Sequence, residues 1–345
     1  MSFKSLLARI KPYLRWVILG GTLFFIVKTL KDHWQEVTAI QVASSAWYWF
    51  AAAFVVTLAA HVWSGWVWHW ILALFHQPQT GWWSTPVYLK TNVAKYLPGN
   101  VWHFFGRVRA LQSTGTSTGI AVVAVVMEPL LMAVAALILA CLFGWQIAAQ
   151  IGDAQLVVNH SMGLRALVLC GALVSVHPRF FNPILQTLSR AKAKAQGLSQ
   201  EMSQEMSQEM SQEMSQEMSQ EIGATDSPRL KAYPVRSLLG EMGFVGLRSL
   251  GFIIIVAALT SVPFSSVPTL IAAFSLAWLM GLVVPGAPGG IGVFEATAIP
   301  LLSGQFPVAI VLSSVAIYRL VSVLAEVGAA GLVWAGERLT GRVVG

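Results

Sequence analysis

Long apolar stretches are the feature that most restricts how this chain can fold. Seven of them lie at residues 16–30, 47–75, 116–143, 164–176, 238–259, 269–284 and 306–334. Their apolar residues are continuous instead of alternating, which is typical of membrane-spanning helices and not of membrane β-barrel strands. Only 11% of the side chains are charged, whereas soluble domains have about a quarter. The sequence therefore predicts an all-α polytopic integral membrane protein.

The distribution of basic residues predicts the topology. Four Lys or Arg precede the stretch 16–30 and no small-residue cleavage site follows it, so we expect an uncleaved helix with a cytoplasmic amino end. The basic carboxyl end is also expected inside, which requires an even number of crossings. Seven to eight spans are thus predicted, with either an extra half-span or a broken final helix. The stretch 306–334 is long enough for one tilted span or two broken ones. The stretch 164–176 is short, and its helix is expected to begin earlier.

A polar segment divides the chain into three parts. We predict an N-terminal membrane half over residues 1–178, a cytoplasmic loop over 179–236 and a C-terminal membrane half over 237–345. The loop carries seven Lys or Arg and five copies of SQEM within 199–221. Stacked glutamates at i, i+4 disfavour a helix there, so the repeat is interpreted as a disordered linker. The expected location is the plasma (inner) membrane.

The sequence KYLPGNVWHFFGR at residues 95–107 is the first candidate functional motif. Pro98-Gly99 breaks any helix, yet both flanks are apolar and aromatic, so the backbone is expected to bend at or near membrane depth. Such breaks persist only where protein buries them or where they line a cavity. A re-entrant segment over 90–109 is predicted, with an ordinary interfacial turn as the alternative.

The sequence PGAPGGIGVFEA at residues 285–296 is the second motif. It predicts a tight turn that opens a half-helix, and a re-entrant segment over 285–302. Free amides at such a helix start are able to hold a phosphate. The P-loop Lys is missing, however, so nucleotide hydrolysis is unsupported. The sequence also has no metal-ligand spacing, and no cofactor or metal is expected.

Ionisable residues inside apolar stretches are the third signal. Glu128, Arg319 and Glu326 lie within predicted spans, where charge is costly unless it is paired or hydrated, so a functional interior and a structural ion pair are both open. Glu241 and Arg248 are expected closer to the cytoplasmic interface. Two histidines, His61 and His69, are interpreted as hydrogen-bonding groups at the interface.

The two Pro-Gly motifs, the Glu of the third span and the Tyr318-Arg319 pair, in this order, resemble the transmembrane-region family of lysylphosphatidylglycerol synthases, the flippase part of the multiple peptide resistance factor. The resemblance implies about eight helices, re-entrant elements and a role in handling lipids with charged or sugar-bearing headgroups. The soluble aminoacyl-transferase part of the full-length synthases is not recognisable here. Carried over residue by residue, the implied substrate-binding residues are Lys95, Tyr96, Pro98, Gly99, Arg107, Glu128, Pro288, Gly289, Gly290, Gly292, Glu295 and Arg319.

These observations lead to the hypothesis of a lipid flippase-like transporter and not an enzyme. One broken segment from each half would meet in the bilayer, as in two inverted repeats. Arg107 and Arg319 would contact an anionic headgroup, and Glu128 and Glu295 would balance them or contact a cationic one. A membrane glycosyltransferase acting on a polyprenyl-phosphate sugar, or its accessory, and a non-transporting scaffold are the alternatives. Expected partners are membrane lipids, a second copy of the chain or a separate lipid-modifying enzyme; basic residues that border apolar spans argue against nucleic acid.

Overall fold

The computed structural model describes residues 28, 31, 34–38, 44–96, 101–145, 147, 154–179, 182–183, 230, 232–284, 290 and 292–341, with backbone alone for 36, 38, 154–162 and 164. Every regular element in these ranges is a helix, as the sequence predicts. Two short 3₁₀ turns cover Val93–Tyr96 and Phe264–Ser266. The α-helices are α1 (Trp34–Thr38), α2 (Ala46–Leu74), α3 (Gly81–Asn92), α4 (Trp102–Gln112), α5 (Thr118–Phe143), α6 (Ala154–Ser175), α7 (Val235–Leu259), α8 (Val267–Val283), α9 (Val293–Leu302) and α10 (Val308–Thr340).

Five helical segments of the described part are long and apolar enough to cross a membrane. They are α2, α5, α7, α8 together with the 3₁₀ turn before it, and α10. The predicted spans 47–75, 116–143, 238–259 and 269–284 are confirmed, and the chain is an integral membrane protein. A total of seven to eight crossings stays a prediction, because the stretch 16–30 lies almost entirely outside the described residues.

Helices α6 and α10 settle two expectations about the remaining apolar stretches. Helix α6 begins at Ala154, ten residues before the apolar stretch, so the expected earlier start is confirmed. Helix α10 runs unbroken over 33 residues, and the expectation of a broken final helix is wrong. The physical reason is that 308–340 contains no proline, and its three glycines are isolated, which a helix tolerates.

Three short helices lie beside the Pro-Gly motifs. Helices α3 and α4 flank residues 97–100, and α9 follows residues 285–289. They have 12, 11 and 10 residues, whereas a span of the hydrocarbon core needs about 20. None of the three is long enough to cross the bilayer alone, as expected of re-entrant segments. The motif centres themselves lie outside the described residues.

The two membrane halves pack into one bundle. Helix α7 lies along α2, and α8 lies along α5. Small residues allow this close approach: a Cβ added at Gly251 of α7 would lie 2.7 Å from the Thr57 hydroxyl oxygen of α2. Such contacts are typical of helix packing in membranes. The predicted loop 179–236, with its repeat 199–221, falls almost wholly outside the described residues.

Candidate functional site

A cavity of about 280 Å³ lies inside the bundle, where residues next to the two Pro-Gly motifs meet. Lys95 and Tyr96, which precede the first break, lie in its wall, and so do Gly290 and Phe294 of the second motif. Described residues of both motifs therefore line one cavity, as expected if the motifs meet. The wall also carries His103, Arg248, Arg319 and Glu326. This cavity therefore collects ionisable groups from four separate parts of the chain.

We call Lys95, His61, Arg248, Ser322 and Glu326 the cavity cluster. The Lys95 ammonium donates to Glu326 Oε1 at 2.7 Å, and His61 Nε2 lies 3.2 Å from the same oxygen. Arg248 Nη1 donates to the Ser322 hydroxyl at 2.7 Å and lies 3.0 Å from His61 Nε2. With one carboxylate against Lys95 and Arg248, the cluster has an excess of positive charge whichever form His61 takes.

The cavity cluster leaves some of its bonding capacity unused. Among the described residues, Glu326 Oε2, Arg248 Nε and His61 Nδ1 are buried and have no hydrogen-bond partner. Buried polar groups are normally paired, and an unpaired one costs about 1–3 kcal/mol. These atoms lie on residues that line or adjoin a cavity, so a polar ligand is able to satisfy them. The cluster therefore has the character of a binding site.

Arg319 connects the last helix to the second motif. Its Nε donates to Glu295 Oε1 at 2.5 Å, and its Nη2 donates to the Gly290 carbonyl at 2.7 Å. Glu295 Oε2 in turn accepts from the Gly292 amide at 2.6 Å and so satisfies a free amide at the start of α9. Arg319 and Glu326 are seven residues apart, which places them on one face of α10, but each pairs with another segment instead of with its neighbour.

We call Arg107 and Glu128 the sealed pair. Arg107 Nη1 donates to Glu128 Oε2, and the Tyr88 hydroxyl donates to the other carboxylate oxygen at 2.7 Å. The Arg107 guanidinium also stacks 3.9 Å from the centre of the Tyr88 ring. Arg107 is 1% exposed, and neither residue is among the described ones that line the cavity. Their neighbours His103 and Pro129 do line it, so the sealed pair lies directly behind the wall.

The predicted site residues thus fall into four groups. Those in the cavity wall are Lys95, Tyr96, Gly290 and Arg319; those that support it are Gly292 and Glu295; those behind it are Arg107 and Glu128; those outside the described residues are Pro98, Gly99, Pro288 and Gly289.

Sequence reasoning missed His61 and underrated Arg248. Arg248 was expected near the interface, but it is 8% exposed and lines the cavity, and Glu241 on the same helix is fully buried. His61, which was interpreted only as a hydrogen-bonding group, is likewise buried and belongs to the cavity cluster. The signal was present in the sequence: Glu241 and Arg248 are seven residues apart, a spacing that places both on one helix face.

A family model described as the lysylphosphatidylglycerol synthase TM region matches residues 13–329 of the chain. The protein belongs to this family. The match includes the cavity cluster, the sealed pair and both Pro-Gly motifs, and the resemblance noted in the sequence is confirmed. As a member of the lysylphosphatidylglycerol synthase TM-region family, the protein has a role related to membrane lipids. No curated protein is significantly similar to it.

Proposed function

We propose that this protein is a lipid flippase-like transporter, which moves phospholipids or other lipids with charged headgroups across the bilayer, and that the cavity is its headgroup site. One observation carries the proposal. Three cationic side chains, Lys95, Arg248 and Arg319, line one cavity inside a bundle of membrane helices, between the flanks of two broken segments.

The charge of the cavity suits an ionised headgroup. Moving such a headgroup through hydrocarbon is costly because its hydration shell is lost. Lys95, Arg248 and Arg319 would replace that shell with charge-assisted hydrogen bonds to a phosphate. Glu326 would contact a cationic group on the same headgroup, and Glu295 would keep Arg319 oriented. We assign the sealed pair a positioning role behind the wall.

The size of the cavity suits a headgroup rather than a whole lipid. Its volume of about 280 Å³ lies just below the range of roughly 300–1,000 Å³ that is typical of small-molecule pockets. Two acyl chains do not fit with the headgroup in such a space, so we propose that they stay in the surrounding lipid. A transporter that carries only the polar headgroup through its interior requires this arrangement, with the headgroup in the cavity and the acyl chains in lipid.

We place the protein in the plasma membrane. We propose that its amino end and the loop 179–236 lie in the cytoplasm, because both carry basic residues. We propose that it binds and moves lipid without converting it chemically. Membrane lipids would be its principal partners, and a second copy of the chain or a separate lipid-modifying enzyme would be its protein partner.

Native mass spectrometry with lipid identification tests the headgroup site. We expect gently extracted wild type to retain a lipid with a charged headgroup, and Arg248→Ala to lose it. Arg236→Ala is the matched control, because Arg236 lies on the same helix but packs its guanidinium on Trp70. If all three proteins carry the same bulk lipids, the proposal fails. Co-purification of one stoichiometric membrane protein without bound lipid would favour a scaffold instead.

A further inference from the structure

Glu241 is a buried carboxyl group that the headgroup site does not use. It lies on α7 and is fully shielded from solvent. Neither of its carboxyl oxygens has a hydrogen-bond partner among the described residues. An ionised carboxylate without hydrogen bonds in such surroundings is far costlier than a neutral carboxylic acid. Glu241 therefore carries a proton in this conformation.

The charged groups around Glu241 belong to the sealed pair. Glu128 on α5 and Arg107 on α4 are its charged neighbours, and Tyr88 on α3 also faces it. On α2, the residues in contact with this turn of α7, Trp63, Val67 and Trp70, are not titratable. The titratable His61 of α2 lies further along α7, against Phe244 and Arg248. Helix α8 has no titratable residue. On α10, the carboxylates Glu326 and Glu337 pair with Lys95 and Lys90.

The charge balance explains why the proton matters. With Glu241 neutral, one Arg107 guanidinium faces one ionised carboxylate, Glu128, and the buried group is balanced. Loss of the Glu241 proton leaves two carboxylates for one guanidinium and one buried negative charge unpaired, which the interior does not tolerate. The proton is therefore able to leave only when this region opens to water, and its return favours the closed arrangement.

The sealed pair connects this proton to the cavity. Arg107 lies one helical turn after His103 on α4, and Glu128 directly precedes Pro129 on α5; both His103 and Pro129 lie in the cavity wall. A second carboxylate competing for Arg107 would therefore displace α4 or α5 where they border the headgroup site. Small shifts of packed helices are a common way for one site to change another.

We propose that Glu241 is a proton-binding residue that couples proton movement to lipid movement. This proposal rests on the proposed function, and it names the energy source for lipid movement through the same site. The Glu241 carboxyl binds a proton from water on one side of the membrane and releases it to water on the other. The displacement of Arg107 links each proton step to a change in the headgroup cavity.

Lipid movement in vesicles under an imposed pH gradient tests the coupling. The probe is a labelled anionic phospholipid, whose exposure on the outer leaflet is followed with a membrane-impermeant quencher. We expect the wild type to move lipid faster than protein-free vesicles do. We also expect this rate to change with the direction of the gradient. Glu241→Gln, which resembles the protonated acid, should bind the same lipid and lose this dependence entirely. Glu337→Gln, on a membrane helix but away from the sealed pair, should keep it.

The possible outcomes separate the two proposals. Lipid movement by the wild type at one rate in every gradient overturns the coupling and leaves the flippase function standing. No lipid movement in any gradient overturns the function and, with it, the coupling. A pH-sensitive dye inside the vesicles provides a readout that needs no variant: proton flux should accompany lipid movement in the wild type, and lipid movement without it overturns the coupling.

Discussion

The sealed pair and the cavity cluster are two groups of charges in the same helical bundle, and they differ in how completely they are satisfied. In the sealed pair, both Glu128 oxygens accept hydrogen bonds, and Arg107 is almost wholly buried. In the cavity cluster, the Lys95 side chain is 21% exposed, and a Glu326 oxygen has no hydrogen-bond partner among the described residues. One group is closed and the other has capacity left for a ligand.

The same contrast applies to charged residues inside membrane proteins in general. A charged residue within an apolar stretch indicates either a structural pair or a binding site, and its own sequence context does not distinguish them. The distinction comes from its partners. Where hydrogen-bond partners satisfy every polar atom of a charged side chain, removal of that side chain should mainly reduce stability. Where some of these atoms remain unsatisfied beside a cavity, its removal should mainly weaken ligand binding.

Arg107→Ala should have the largest effect on stability. It leaves the Glu128 carboxylate buried with only Tyr88 as a hydrogen-bond partner, and breaking a buried pair in this way costs about 3–5 kcal/mol. Reversible unfolding in mixed detergent measures the change in the free energy of unfolding. A double replacement of Arg107 and Glu128 by Met should recover much of the loss, because no buried charge is then left alone.

The same variant tests the original sequence prediction for this pair. The sequence suggested that Arg107 contacts the headgroup and that Glu128 balances this charge or contacts a cationic headgroup. In that case Arg107→Ala would stop lipid binding or movement and leave the fold intact. A variant as stable as the wild type that no longer retains lipid would support that prediction and contradict our separation of the two groups.

Lys95→Ala should have a smaller effect on stability and a larger one on lipid retention. Glu326 keeps His61 beside it, so we expect a loss of about 1–3 kcal/mol, as for a buried group that loses one hydrogen bond. The bound lipid, measured by native mass spectrometry, should be lost. Lys90→Ala is the matched control, because Lys90 pairs with Glu337 and is not among the described residues of the cavity wall. Equal lipid retention by both variants would contradict the assignment of Lys95.

The sequence predicted the residues of the site better than their contacts. Long apolar stretches were sufficient to place most spans, and Pro-Gly breaks correctly indicated the flanks of the cavity. The pairing of Arg319 with Glu295, and not with its helical neighbour Glu326, depends on how α9 docks on α10. Tertiary packing of this kind is not encoded in the spacing within one helix.

His61 and Arg248 show the other side of this limit. Each lies in a long helix that is mostly apolar, and each finds its partners more than 70 residues away in sequence. A single buried cation or histidine in such a stretch gives no indication of which helix it faces. Only the arrangement of α2, α7 and α10 around one space reveals that these residues form a cluster with Lys95.

Gly290→Ala should have the smallest effect of the three variants, and it tests whether backbone geometry fixes the cavity wall. Gly290 has a φ of +71°, a left-handed conformation that costs other residues about 1–2 kcal/mol. Its added Cβ would also lie 3.0 Å from the Gly281 Cα of α8. We expect a loss of about that size in the free energy of unfolding, and weaker lipid retention because the Gly290 carbonyl accepts from Arg319.

Gly331→Ala is the control for this last variant. Gly331 lies within α10, and a Cβ there meets no atom within 4 Å. Alanine is favoured over glycine in a helix by about 1 kcal/mol, so this variant should be as stable as the wild type or slightly more stable. If both alanine variants behave alike in unfolding and in lipid retention, the close approach of Gly290 to Gly281 does not hold the wall. The cavity would then depend on the Arg319 and Glu295 side chains alone.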